Sequence, residues 1–120
     1  MNFNPRIDAK FLSHDPEVVK NYKNDPFVNA EKISARLAYE MVKNFNNLER
    51  VINDFKINLL VQCGSDDKLI RGAEEFNNLF TMKDKTIKIY EGLYHEVYNE
   101  LEKDRRIVLN DLSNWLDNHI

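Results

Sequence analysis

What this chain lacks narrows its function before any motif is considered. It has one cysteine, Cys63, so no intrachain disulfide can form, and no Cys/His spacing suggests zinc. No apolar run approaches the roughly 18 residues a membrane span needs, and the N-terminal MNFNPRIDAK has no apolar core of a secretion signal. A cytoplasmic location, at most peripheral to membranes, is the expectation. Charge of one sign is missing too: the net charge is -3, acids and bases alternate, and no basic stripe could neutralise phosphates. That argues against nucleic acid as the main partner. There is no Asn-X-Ser/Thr sequon.

What is present suits one soluble domain: 120 residues, 42% of them hydrophobic, enough for a single core. All three prolines fall before residue 30, two of them in Asp-Pro pairs that favour turns and helix starts. Asp15 is placed to cap a short helix starting at Pro16, with Glu17 in its first turn. From Ala30 an amphipathic helix is predicted, because Ile33, Leu37, Met41, Phe45 and Leu48 recur at helical spacing and require a buried side. Val51, Ile52 and Phe55 would extend that face through a break. The apolar run 57–62 (INLLVQ) reads as a strand covered on both faces, and 85–90 (KTIKIY) as a second strand of period two. Between them a helix is expected over 68–80, with Leu69, Ala73, Phe76 and Phe80 on one side. A last helix over 101–118 would bury Val108, Leu112, Trp115 and Leu116.

A strand, a crossover helix and a second strand make a parallel pair in an α/β fold. Working groups of such sheets gather beyond the carboxyl ends of the strands, here in the loops 64–67 (GSDD) and 91–96 (EGLYHE). Strands about 4.8 Å apart would let an aspartate of the first loop meet His95 of the second. A carboxylate on Nδ1 fixes the tautomer of a histidine and leaves Nε2 as a general base, the acid-histidine part of a catalytic triad. Other readings stand beside this one. His95 could be a solvated or capping residue, and Asp67 the N-cap of a helix at Lys68. Asp66 could serve the loop while Asp67 orients His95. Two aspartates without a third ligand are a poor metal site. Cys63 reads as buried and inert, His14 and His119 as solvated, and Tyr90, Tyr94 and Tyr98 as packing or rim residues. Leu69, Ile70 and Val97 flank the loops and would either line an acyl pocket or join the core.

The stretches LLVQCGSDDKL and KTIKIYEGLYHEVYNE, closed by a Trp-bearing helix, resemble the carboxy-terminal part of the α/β-hydrolase fold, in its monoacylglycerol lipase and lysophospholipase branch. Gly64-Ser65-Asp66-Asp67 matches that branch's Gly-X-X-Asp loop. Gly92-Leu93-Tyr94-His95, with Glu100 following, matches its Gly-X-X-His loop. The stretch LSHDPEVVKNYKNDPFV is similar to the segment where the lid returns to the core. The resemblance implies a lid remnant over 1–29, a core portion over 30–120 with an incomplete sheet, and Asp67 and His95 as catalytic residues. It implies a serine ester hydrolase acting on monoacylglycerol or lysophospholipid, with no cofactor and no metal. The chain departs from the family in one respect. Its serines, at 13, 34, 65 and 113, lie in no Gly-X-Ser-X-Gly elbow, and there is no His-Gly oxyanion loop. The expectation is therefore a fragment that is inactive alone and whose 57–62 strand edge is taken by a second copy, a companion chain or a rearranged N-terminal segment. The competing class is a non-catalytic binding or scaffolding module.

Overall fold

The computed structural model describes residues 8–28, 34–52, 56–70, 72 and 78–119. A 3-10 turn at Ala9–Phe11 leads into helix α1, Pro16–Asn24. As expected, Asp15 caps α1, its carboxylate accepting from the Glu17 N–H at 2.9 Å, with Pro16 in the first turn. The helix stops at Asp25, which is extended because Pro26 follows it.

Helix α2 spans Ala35–Ile52. It starts later than Ala30 because Ser34 is its cap: the hydroxyl accepts from Leu37 N–H at 3.1 Å. Nothing interrupts the helix before Ile52; Ile33, Phe55 and the residues between Ile52 and Phe55 lie outside the described residues. Its apolar face is not the buried one the periodicity demands. Ile52 is buried, but Leu37, Met41, Phe45 and Val51 remain between 40% and 56% exposed.

Strands β1, Leu59–Gly64, and β2, Lys85–Tyr90, pair in parallel, from Leu59 opposite Lys85 to Gly64 opposite Tyr90. The first strand was expected over 57–62. Its pairing with β2 moves it two residues on, leaving Ile57 exposed and drawing Cys63 and Gly64 into the ladder. Among the described residues the sheet has these two strands alone, an open α/β arrangement.

The helix expected over 68–80 is corrected at its start. Residues 68–70 form bends, and Gly72 sits at φ 109°, a left-handed conformation that glycine tolerates and a helix does not. Asn78 and Leu79 are helical and Phe80 is buried, while Ala73 and Phe76 lie outside the described residues.

Helix α3, Glu102–Asp117, carries acids Glu102 and Asp104 in its first turn, where the helix dipole favours them. Its Val108 is fully buried and forms the core with Leu93 and Val97, against which Tyr90 packs. Beneath them lies a polar net. The Gln62 side-chain amide donates to the Val108 carbonyl and to the Tyr90 hydroxyl, and the Tyr98 hydroxyl donates back to Gln62. Tyr90 in turn donates to Asp111 at 2.9 Å, and Lys88 pairs with the same carboxylate. Burial, with Asp111 adding to it, pushes the Tyr90 phenol up to about 12. Of the α3 stripe, Leu112 and Trp115 are half-buried and Leu116 stays exposed.

His119 is not the solvated residue expected. Its ring stacks on Trp115 at 4.0 Å, Nδ1–H donates to the Trp115 carbonyl, and Nε2 faces Asp84 at 3.1 Å. The end of α3 is thereby tied to the residue that precedes β2.

Candidate active site

The two loops begin side by side because β1 and β2 end together. Past the last ladder pair the chains stay joined: Ser65 N–H donates to the Tyr90 carbonyl at 2.9 Å and Asp66 N–H to the Leu93 carbonyl at 3.0 Å. The Ser65 hydroxyl accepts from Gly92 N–H at 2.8 Å. Gly92 turns the second loop at φ 75°. Gly64 is needed for space, since a Cβ there would lie 2.1 Å from the Leu93 carbonyl oxygen and 2.4 Å from that of Tyr94.

This stitching brings Asp67 to His95. Oδ2 of Asp67 lies 2.7 Å from Nδ1 of His95. A carboxylate can only accept, so Nδ1 carries the proton and Nε2 keeps its lone pair for another partner. Oδ1 of Asp67 accepts from the Leu69 and Ile70 N–H groups at 2.8 and 3.0 Å. No helix begins at Lys68 for Asp67 to cap; one oxygen instead shapes a turn and the other holds the imidazole. Burial works to raise the Asp67 pKa. The bonds from His95, Ile70 and Leu69 and the neighbouring imidazole outweigh it, and the carboxyl is held below its ordinary range. The Asp67 side chain is 10% exposed and that of His95 33%, so the pair sits in the wall of the protein with the ring reaching solvent.

Asp66 is exposed and contributes its backbone to the loop. Cys63 is half-buried, its thiol pushed up by burial and by the charge of Asp67, which suits an inert thiol. Leu69 is half-buried and Ile70 half-exposed beside the pair, whereas Val97 belongs to the core. Tyr98 is a rim residue bonded to Gln62.

The composition of the histidine loop's other wall was not legible beforehand. Glu100, noted only as following the motif, is fully buried. Its Oε1 accepts from Tyr94 N–H at 2.8 Å, and its Oε2 from His14 N–H at 2.9 Å. The His14 ring, expected in solvent, donates from Nδ1 to Glu100 at 3.0 Å and stacks on Tyr94 at 3.7 Å. Burial acts to raise the Glu100 pKa, but the bonds from Tyr94 and His14 hold it below the usual range. Ser13 donates to the Asn99 carbonyl at 2.8 Å. The one sequence signal for this cluster was a Ser-His-Asp run before a capped helix, and spacing could not place it against residue 100.

The family model described as "Serine aminopeptidase, S33" matches residues 1–102. The monoacylglycerol lipase of Mycolicibacterium smegmatis is 35% identical over 116 residues, 95% of this chain and 41% of that protein. Human monoglyceride lipase is 29% identical over 112 residues, 92% of this chain and 37% of that one. The crystal structure of Paleococcus ferrophilus monoacylglycerol lipase superposes with a TM-score of 0.83 at 29% identity, covering 98% of this chain and 46% of that one. The chain spans less than half the length of these relatives.

Proposed function

Because the chain belongs to the serine aminopeptidase S33 family, in the monoacylglycerol lipase branch of the α/β-hydrolase fold, we propose that it is the acid and histidine portion of a serine ester hydrolase acting on monoacylglycerol or lysophospholipid. One observation carries the reading: the 2.7 Å bond between Asp67 and His95, made in loops beyond two adjacent parallel strands. In the assembled enzyme a serine from outside this chain attacks the acyl carbonyl. Nε2 of His95 takes its proton and returns it to the leaving alcohol, while Asp67 holds the tautomer and stabilises the imidazolium. Water then repeats the cycle on the acyl-enzyme.

The chain's own serines offer no such attack. Ser13 is buried against Asn99 and Glu100, Ser34 caps α2, Ser65 holds the Gly92 N–H and Ser113 is exposed on α3. Leu69 and Ile70 are the proposed acyl contacts, and Val97 belongs to the core. Residues 1–29 are proposed as the end of the lid, which meets the histidine loop through Phe11 and Leu12, whose carbonyls accept from His95 and Glu96 N–H. The outer edge of β1 and the bare face of α2 are proposed to be covered by a second copy or by a companion chain bearing the nucleophile.

Without nucleophile and oxyanion donors both the covalent step and the main electrostatic stabilisation are missing. Serine-directed fluorophosphonate should leave the purified 120-residue chain unlabelled. A gene whose DNA upstream of Met1 encodes a Gly-X-Ser-X-Gly elbow in frame, or a partner chain carrying one, would support the assignment. Stoichiometric labelling of this chain alone would overturn it.

A further inference from the structure

The histidine loop is held in an unusually complete way. Four successive backbone N–H groups each have a partner: Leu93 donates to Tyr90, Tyr94 to Glu100, His95 to Phe11 and Glu96 to Leu12. Three of the four are anchored from outside the loop's own turn, two by residues some 84 positions earlier in the chain. Glu100 grips both sides through hydrogen bonds, taking Tyr94 N–H on one oxygen and His14 N–H on the other. The stack of Tyr94 on His14 and the edge contact of Tyr94 with Phe11 at 6.0 Å close the same seam.

We propose that Glu100, with His14 as its partner, is a positioning residue for His95: the buried carboxylate locks residues 11–14 against Tyr94 and so fixes the direction in which the next residue presents its ring to Asp67. The proposal rests on the hydrolase reading for its purpose, though not for its geometry. A carboxylate is required because the seam presents donors alone. Two backbone N–H groups and an imidazole N–H converge there, and the anion can accept from all three. A glutamine in its place would turn an NH2 toward one of those donors, leaving that donor without its acceptor. The fold would then retain its core of Leu93, Val97 and Val108, while the loop gains freedom at the residue next to His95.

The test is proton NMR of the 120-residue chain, following the exchange with water of the Nδ1–H that His95 gives to Asp67. In the parent this proton should appear as a protected downfield resonance. In Glu100→Gln, with the thermal transition and Trp115 fluorescence confirming a folded core, it should be lost or exchange at least about tenfold faster. A folded variant with an unchanged resonance overturns the proposal. Should Glu100→Gln fail to fold, His14→Phe decides. It keeps a ring to stack on Tyr94 and removes the Nδ1 bond, and the exchange must still be faster than in the parent; an unchanged rate overturns the proposal. A parent chain with no such resonance removes the Asp67 to His95 bond itself, and the proposal with it. Fluorophosphonate labelling of the parent would instead remove the hydrolase-fragment reading and leave this exchange rate as it was.

Discussion

Replacing Asp67 by asparagine separates the two jobs of that side chain. The amide keeps an oxygen for the Leu69 and Ile70 N–H groups, but its NH2 now faces Nδ1 of His95, and the imidazole must adopt the other tautomer to accept from it. The bond lost is charge-assisted and worth about 1.5–3 kcal/mol. His95 is one-third exposed, so solvent screening reduces the expected loss to about 1–2 kcal/mol. For a chain of this size that is roughly 4–8 °C in Tm. Asp67→Ala frees the two backbone N–H groups as well and should cost about 3 kcal/mol. Urea titrations of the three proteins at pH 7 measure the differences. The pH dependence adds a second check. The folded carboxyl titrates below its ordinary value of 3.8, so its contribution is complete above the unfolded pKa and is lost as pH falls through the folded one. The gap between parent and Asp67→Asn should therefore hold down to 3.8 and close only as pH falls further, through the lowered folded value. An Asp67→Asn protein as stable as the parent at pH 7, or a gap that persists unchanged in acid, would refute the reasoning.

His119 should report on itself through Trp115. Its pKa is raised above 6.5, first by the bond to the Trp115 carbonyl and then by Asp84, with burial opposing. Any stability it adds is therefore full below 6.5 and is lost as pH rises through the higher folded value. A protonated imidazole stacked on indole quenches it, so Trp115 fluorescence should climb with a midpoint above 6.5, and His119→Leu should abolish the transition; a midpoint at or below 6.5 contradicts the arrangement. Light scattering of the isolated chain should give a mass above that of one copy, because the β1 edge and the α2 face seek cover, and Phe45→Lys should weaken the association. A monomer at every concentration tested would mean these surfaces are content in water.

The parallel strands and α1 were legible because their signals are local: an Asp-Pro cap, and an alternating KTIKIY whose far end marks the histidine loop. The pairing of Asp67 with His95 was legible because two motifs sit at equivalent strand ends. Other features depended on partners far away in sequence. The two-residue shift of β1 is decided by β2, and the bends at 68–70 by Asp67 and Gly72, which override the periodicity of Leu69. His14 and Glu100 are 86 residues apart, and no spacing rule could have matched them. His119 looked like a frayed terminus until Asp84 gave its ring a place. The exposed face of α2 is the opposite case, a periodicity that asks for burial which, Ile52 apart, its apolar residues largely do not find among the described residues.

Gly64 gives the site a property its reactive groups do not have. With no room for even one carbon beyond its backbone, the two loops rest main chain against main chain, so the gap between acid and base is set by peptide groups that every sequence shares. Apart from the Glu100 clamp, side chains around them could change without retuning that gap, provided these main-chain contacts stay as they are. The vulnerability is concentrated accordingly: a single methyl at position 64 would act as a wedge at the fulcrum, prising apart two residues that are themselves untouched. Such a lesion would leave Asp67 and His95 unchanged in the sequence while parting them in the fold.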